Sequence, residues 1–260
     1  MKKLRVAMIG CGVVSDNHLT AIIGNASAEL VALCDIRRER AEGKLEKYGV
    51  CVPIYENYIE MLEGEKPDVV HIATPHYLHA EMAIEALERD INVFLEKPMC
   101  INRDEIEKII NAEKKSKGKV CVCFQNRFNP ATVRAKQLVK EDGGAIAAYG
   151  TIFWERNLEY YKQDVWRCTM AASGGGVMIN QAIHTIDLLC YFLGIPKKIC
   201  ATKANHTLKG VIDVEDSCEG VIEFEGGKRG NFYATNAFKK YDAQTVFVLT
   251  EKHRIEIRNF

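Results

Sequence analysis

Val6-Ala7-Met8-Ile9-Gly10-Cys11-Gly12-Val13-Val14-Ser15 decides how the chain begins to fold. Four apolar residues read as a short buried strand, and a glycine pair turns it directly into a helix. That order has a specific physical use. Gly10 permits the tight turn, Gly12 lets the backbone approach a pyrophosphate, and the helix N-terminus offers free N–H groups and positive potential. Gly10, Cys11, Gly12, Val13 and Val14 are therefore the candidate phosphate loop. Ser15 stands where the dinucleotide fingerprint carries its third glycine.

Outward from this turn, apolar runs recur at residues 30–34, 69–73, 91–95 and 120–124. Near-continuous apolar strands suit a parallel sheet covered on both faces. Helical patterns lie between them. Leu78, Met82, Ala83, Ala86 and Leu87 form one stripe. Ile106, Ile109 and Ile110 form another, opened by Asn102 as N-cap with Glu105 three residues on. The alternation predicts a doubly wound α/β domain over residues 1–124.

Residues 125–260 read differently. Residues 145–155 alternate like a half-exposed strand, and a helix is expected near 176–193. Ile222 and Phe224 face one way, Glu223 and Glu225 the other, and Gly226-Gly227 supplies a hairpin turn. Residues 245–250 and 254–258 make a second hairpin. The pattern predicts an α+β domain, an antiparallel or mixed sheet with helices on one face. The last strand pattern runs almost to Phe260 with no helix to cover it, so the expectation is a chain that stops early.

The 260 residues carry 35 Lys+Arg against 35 Asp+Glu. That balance argues against nucleic-acid or anionic-membrane binding, which needs a basic excess. At 47% hydrophobic and 27% charged residues, the composition is that of an ordinary globular protein. No apolar run in the sequence approaches the roughly 18–20 residues of a membrane helix. Met1-Lys2-Lys3-Leu4 lacks a signal peptide's apolar stretch, because Arg5 interrupts it. The expected location is the cytoplasm, with the ten cysteines as free thiols. Cys34, Cys121, Cys123 and Cys190 sit in apolar runs, where cysteine acts as a small hydrophobe. Cys121-x-Cys123 reads as strand alternation rather than half a metal site.

Chemistry concentrates at a few further points. Asp35 ends the second apolar run, where a carboxylate accepts hydrogen bonds from adenosine ribose hydroxyls and repels a 2′-phosphate. With Ile36 and Arg37 beside it, Asp35 favours NAD; Arg37 and Arg38 leave NADP open. Thr74-Pro75-His76 follows a strand at the sheet's carboxyl edge, where ligands bind, and His79 lies just beyond. His76-x-x-His79 lacks the carboxylates or cysteines that would make a metal site, so no metal is expected. Glu96-Lys97-Pro98 ends another buried run. Lys97 reads either as a solvated partner of Glu96 or as a lysine held at the edge for proton transfer or for polarising a hydroxyl. In the stretch Gly174-Gly175-Gly176-Val177-Met178-Ile179-Asn180-Gln181-Ala182-Ile183-His184-Thr185-Ile186-Asp187, a helix would put Asn180, His184 and Asp187 on one polar stripe. A polar stripe on an apolar helix must be satisfied or functional. Histidine is the natural acid/base near neutral pH. Tyr160, Tyr161, Trp166 and Arg167 precede it, as packing residues or as the walls of a sugar pocket.

Taken together, these segments resemble the Gfo/Idh/MocA oxidoreductases, which include glucose–fructose oxidoreductase and inositol dehydrogenase. The resemblance rests on residues 10–17, residues 68–98 with Glu96-Lys97-Pro98, the Gln125-Asn126-Arg127-Phe128 loop, Trp166-Arg167, and residues 174–187. It implies a Rossmann domain followed by a substrate-binding and oligomerisation domain on an open, mostly antiparallel sheet, a tightly bound nicotinamide cofactor, a sugar or polyol substrate and a homo-oligomer, dimer or tetramer. It places the family's lysine on Lys97 and its histidine on His184, and it adds Thr74, Pro75, His79, Glu96, Gln125 and Arg127 to the cofactor residues. Asn180, Arg167, Trp166, Tyr160 and Asp187 become substrate residues. Many members carry Asp where this chain has Asn180, which orients ligands but accepts no proton. Nucleotide-sugar dehydrogenases look similar to the Tyr-Tyr…Trp-Arg…Asn-Gln…His order here, and members usually continue past Phe260. The implied reaction is reversible oxidation of a secondary hydroxyl, with His184 as base and Lys97 on the same oxygen. Redox-neutral glycoside cleavage and a non-catalytic binding protein are the alternatives.

Overall fold

The structure is a computed structural model that describes residues 2–238 and 243–258. The chain divides into two compact units, Met1–Cys123 and Phe124–Phe260.

In the N-terminal unit the strands are β1 Leu4–Ile9, β2 Ala28–Cys34, β3 Ile54–Tyr55, β4 Val69–Ile72, β5 Asn92–Leu95 and β6 Val120–Val122. They form one sheet in the order β3-β2-β1-β4-β5-β6, and every pairing is parallel. Helices α1 Ser15–Gly24, α2 Arg38–Tyr48, α3 Tyr58–Glu65, α4 His79–Leu87 and α5 Arg103–Lys115 alternate with them. The order reverses between β1 and β4, so the loops that follow these two strands flank the crevice where such sheets bind ligands. Ala7, Ile9, Val70, Ile72, Val93 and Leu95 are buried, as strands covered on both faces require.

Two local expectations change. In α5, Asn102 caps the helix by accepting the Glu105 N–H at 3.0 Å. Only Ile109 of its three isoleucines is buried, because Ile106 and Ile110 lie off the face that meets the unit's core. β6 is the sheet's edge, so Cys121 is exposed there rather than packed as a small hydrophobe.

In the C-terminal unit the strands are β7 Ala147–Phe153, β8 Pro196–Ala204, β9 Ser217–Phe224, β10 Arg229–Thr235, β11 Ala243–Leu249 and β12 Arg254–Arg258. Their order is β12-β11-β7-β10-β9-β8; β7 and β10 run parallel and the other neighbours antiparallel. Both expected hairpins are present, with Ile222 and Phe224 buried. Residues 259 and 260, where the last strand pattern was expected to continue, lie outside the described residues. The helices are α6 Pro130–Glu141, α7 Leu158–Gln163, α8 Met170–Ser173 and α9 Ile183–Leu193.

α9 covers one sheet face. Gly150 of β7 permits the close approach, since a Cβ there would collide with the Thr185 methyl. On the other face Tyr149 and Phe247 stack at 4.4 Å, with Tyr233 and Val221 exposed beside them. The helical stretch Met170–Leu193 is long and apolar enough, by length and composition alone, to cross a membrane, although no apolar run in the sequence suggested one. Here its buried residues, Leu188, Leu189, Phe192 and Leu193 among them, join the core of this unit.

The stretch is not one regular helix. Met178–Ala182 forms a π turn ahead of α9. A π turn closes one residue later than an α turn. It therefore takes Asn180 off the single line with His184 and Asp187 that an unbroken α-helix would draw.

Candidate active site

Gly10 sits at φ +91°, a conformation that favours glycine, and its N–H bonds the Cys34 carbonyl at 2.8 Å. A Cβ there would lie 2.5 Å from the Ala73 oxygen, in the loop after β4. The phosphate loop is thus wedged against its neighbour across the switch point. Asp35 holds it from the other side. Its Oδ2 accepts the Cys11 N–H at 2.8 Å and its Oδ1 the Arg37 N–H at 2.9 Å. Ser15 replaces the third glycine without loss of closure, because its hydroxyl donates to the Gly12 carbonyl at 2.6 Å.

These residues fit a dinucleotide. A Cβ at Gly12 would meet nothing within 4 Å, Val13 is 89% exposed, and the N–H groups of Gly12 and Val13 have no acceptor among the described residues. Open space above free donors at the start of a ten-residue helix is an anion cradle. Cys11 is a correction. Its N–H is spent on Asp35, and burial, then the Asp35 charge, push its thiol up to about 12. Its N–H and thiol both serve the loop itself, the thiol lying 3.9 Å from the Cys34 oxygen. Asp35 is buried yet keeps lone pairs beyond the two it uses, and Ile36 is 84% exposed beside it.

Thr74 and Pro75 stand in the loop after β4, and His79 underpins them rather than facing a ligand. It is fully buried, with Nδ1 2.7 Å from the Pro98 oxygen and Nε2 2.9 Å from the Thr74 oxygen. Burial lowers its pKa against the pull of those two carbonyls. The neutral ring has one N–H, so it donates to one carbonyl and packs against the other. Glu96 also turns inward, to His18 at 3.0 Å and to the Lys97 N–H at 3.2 Å. Lys97 is half-buried at the end of β5, followed by a cis bond to Pro98.

In the C-terminal unit the glycines before the helix have a structural cause. Glu215 lies against them, its Oε1 accepting the Gly176 N–H at 2.9 Å and the Met178 N–H at 3.1 Å, while its carbonyl accepts the Val177 N–H at 3.0 Å. His184 is 8% exposed in the first turn of α9, with the Phe124 ring edge-on at 6.1 Å.

Arg127 and Asp187, expected at the cofactor and the substrate, bond one another. They form a bidentate pair, at 2.8 and 2.5 Å, with Asp187 buried and the Arg127 pKa raised by that bond. The pair ties the Gln125–Phe128 turn to α9. Gln125 lies at the start of the same turn.

Tyr160 gathers the remaining polar residues. Its hydroxyl oxygen receives Arg167 Nη1 at 2.9 Å, Asn180 Nδ2 at 3.1 Å and Gln181 Nε2 at 3.3 Å. Gln181 in turn accepts Asn236 Nδ2 at 3.1 Å. Guanidinium groups stack on the aromatic faces: Arg156 over Trp154 and Tyr160 at 4.8 and 5.1 Å, Arg167 over Tyr160 and Trp166 at 5.1 and 4.7 Å. Asp164 pairs with Arg167 at 3.1 Å, and no carboxylate among the described residues pairs with Arg156. The structure thus brings Asn180, Tyr160, Arg167 and Trp166 into one cluster.

Sequence reasoning missed Gln181, Arg156, Glu215, Asn236, His18 and His71. Gln181 sat beside Asn180 in plain view. The others lie in stretches whose periodicity carries no sign of a polar network.

Residues 4–124 match the model of an oxidoreductase family with an NAD-binding Rossmann fold, and residues 132–256 match the GFO/IDH/MocA C-terminal domain. The chain is 30% identical to a D-glucoside 3-dehydrogenase of Escherichia coli, over 86% of this chain and 68% of that protein. It is 29% identical to an inositol 2-dehydrogenase of Salmonella typhimurium, over 73% of this chain but only 54% of that protein. Among solved structures it is similar to the WlbA dehydrogenase from Bordetella pertussis in complex with NADH and UDP-GlcNAcA. The TM-score is 0.91 at 27% identity, covering 99% of this chain and 79% of that one.

Proposed function

Since this chain belongs to the Gfo/Idh/MocA family of NAD-binding oxidoreductases, we propose that it oxidises a secondary hydroxyl of an anionic sugar, either nucleotide-linked or a sugar acid. Bound NAD supplies the hydride acceptor. The N-terminal unit orients it through the Gly10–Val14 loop and Asp35, and offers the Lys97 ammonium to a developing negative oxygen. The C-terminal unit supplies His184 as acceptor of the hydroxyl proton and Asn180 as a hydrogen-bonding guide. Redox-neutral glycoside cleavage draws no support from the relatives above, which are dehydrogenases by name.

The observation that carries the substrate reading is the guanidinium–aromatic cluster. Aromatic faces suit sugar rings or a base, and Arg156 brings a cation without a carboxylate partner among the described residues. The UDP-GlcNAcA held by the WlbA dehydrogenase from Bordetella pertussis points the same way. A panel of UDP-hexuronates, free hexuronates, neutral hexoses and inositols, read by nicotinamide absorbance, tests it. The anionic sugars should have the highest kcat/KM, and Arg156→Gln should raise their KM about tenfold while leaving neutral sugars unchanged. Preference for neutral polyols, unmoved by Arg156→Gln, would refute the anionic reading.

We further propose that the protein works in the cytoplasm as a homo-oligomer, with a second copy on the open face of Tyr149, Phe247, Tyr233 and Val221. All ten cysteines are free thiols, which suits a reducing compartment. An exposed aromatic patch of that kind is a favourable surface to bury. Native mass spectrometry of the purified chain should give a dimer or tetramer retaining NAD. A monomer, or retained NADP, would overturn the respective part.

A further inference from the structure

Three titratable side chains meet inside the N-terminal unit, none of them used by the chemistry above. His18 comes from α1, His71 from β4 and Glu96 from the end of β5. His18 Nδ1 lies 3.0 Å from His71 Nδ1, and His18 Nε2 lies 3.0 Å from Glu96 Oε1. The other Glu96 oxygen accepts the Lys97 N–H at 3.2 Å. Phe94 stacks on His71 at 4.6 Å and meets His18 edge-on at 5.8 Å, which walls the chain. His18 is 4% exposed.

Two imidazole nitrogens at this distance need one hydrogen between them. With Glu96 ionised, His18 presents Nε2–H to it. A neutral His18 then has a bare Nδ1, and His71 must be the tautomer that donates from Nδ1. One added proton enters at His71 Nε2, which leaves the Nδ1–H of His71 directed at His18 and the Nε2–H of His18 at the ionised Glu96. The chain's net negative charge disappears.

Burial first, and then the neighbouring His18 ring, push His71 down to about 3. Burial lifts Glu96, but the His18 bond and the Lys97 charge outweigh it and hold the carboxyl below its ordinary value. At neutral pH the first arrangement therefore prevails. The groups facing one another are His18 from α1, His71 from β4, Glu96 and Lys97 from the end of β5, and His79 from α4, whose ring feels both Glu96 and Lys97.

We propose that His18 and His71 are positioning residues for Lys97: they clamp an ionised Glu96 against the Lys97 backbone, and a proton taken up at His71 cancels the chain's net charge. This rests on the role given to Lys97 above.

Histidine-selective 15N NMR of the full chain without substrate tests the clamp directly. At neutral pH His71 should carry its hydrogen on Nδ1 and show no titration near 6.5, its ordinary value. A His71 protonated on Nε2, or one titrating near 6.5, overturns the proposal. Between about 6.5 and about 3 the unfolded chain binds a proton on His71 that the folded chain excludes, so stability falls as pH drops through that window. His71→Asn keeps a donor and takes up no proton. It should flatten this slope and keep kcat within about threefold, whereas His71→Phe, lacking the donor, should lose about ten- to a hundredfold in kcat with KM for NAD unchanged. An Asn variant as slow as Phe, or a Phe variant as fast as the parent, overturns it. A chain that oxidises no sugar would defeat the functional reading alone, because the tautomer measurement needs no turnover.

Discussion

His184→Ala loses about 10²–10⁴-fold in turnover, the range of a positioned acid or base, while its affinity for NAD stays within about twofold. The first half of this expectation follows from chemistry. Oxidising a hydroxyl releases a proton, and His184 is the residue of the glycine-led helix whose ordinary pKa suits taking it near neutral pH. Asn180 cannot substitute, since an amide accepts no proton. The second half follows from the division of labour, because the phosphate loop and Asp35 belong to the other compact unit.

The fold should survive the change. Alanine is the strongest helix former, and α9 keeps Leu188, Leu189, Phe192 and Leu193 in the core. Steady-state kinetics and NAD titration on one preparation, with a melting curve as control, decide it. Turnover equal to the parent's would remove His184 from the mechanism, and His184→Gln, which keeps the volume, separates lost chemistry from lost packing.

Gly176→Ala should destabilise the protein by about 3 kcal/mol, the upper range for overpacking. A Cβ at this position would overlap the Glu215 carbonyl oxygen, with the Glu215 carbonyl carbon 2.8 Å and its nitrogen 2.9 Å away. Backbone atoms cannot swing aside as a side-chain tip does. The segment must retreat, and the three bonds from Glu215 to the N–H groups of Gly176, Val177 and Met178 weaken with it. For a chain of this size the loss corresponds to a melting temperature roughly 6–12 °C lower.

Turnover should fall as well, because the same helix start feeds the π turn that carries Asn180. Gly43→Ala is the control. Gly43 lies exposed within α2, a Cβ there meets nothing within 4 Å, and helix propensity alone should make that variant slightly more stable. If the two variants melted together, the close approach of Glu215 would not be what the glycine serves.

The contrast between Gly10 and Gly176 shows what was legible. Gly10 announced itself, because a glycine directly after an apolar run and before a helix has few other uses, and it stands at φ +91° against Ala73. Gly176 stood out only as one of three glycines ahead of a helix. Its reason is a segment 39 residues further on, which no local pattern could point to. Likewise Asn180, His184 and Asp187 were read as one stripe because periodicity assumes an unbroken α-helix. The π turn broke the stripe, and the three side chains went to different partners: Asn180 to Tyr160, Asp187 to Arg127, and His184 to the edge of Phe124.

What residue order alone determined is the parallel first sheet with its phosphate loop, the two hairpins of the second sheet, and the presence of Lys97 and His184 at element ends. All of these follow from local rules: apolar periodicity, glycine's freedom and helix capping act over a few residues. Only the tertiary structure decided that Cys11, His79, Arg127 and Asp187 spend their polar groups on the protein itself, and that His18, His71 and Glu96 share one hydrogen-bonded chain. Those outcomes depend on which buried donors find which acceptors across 5 to 78 residues of sequence. Burial makes an unmet polar group costly wherever its partner lies along the chain.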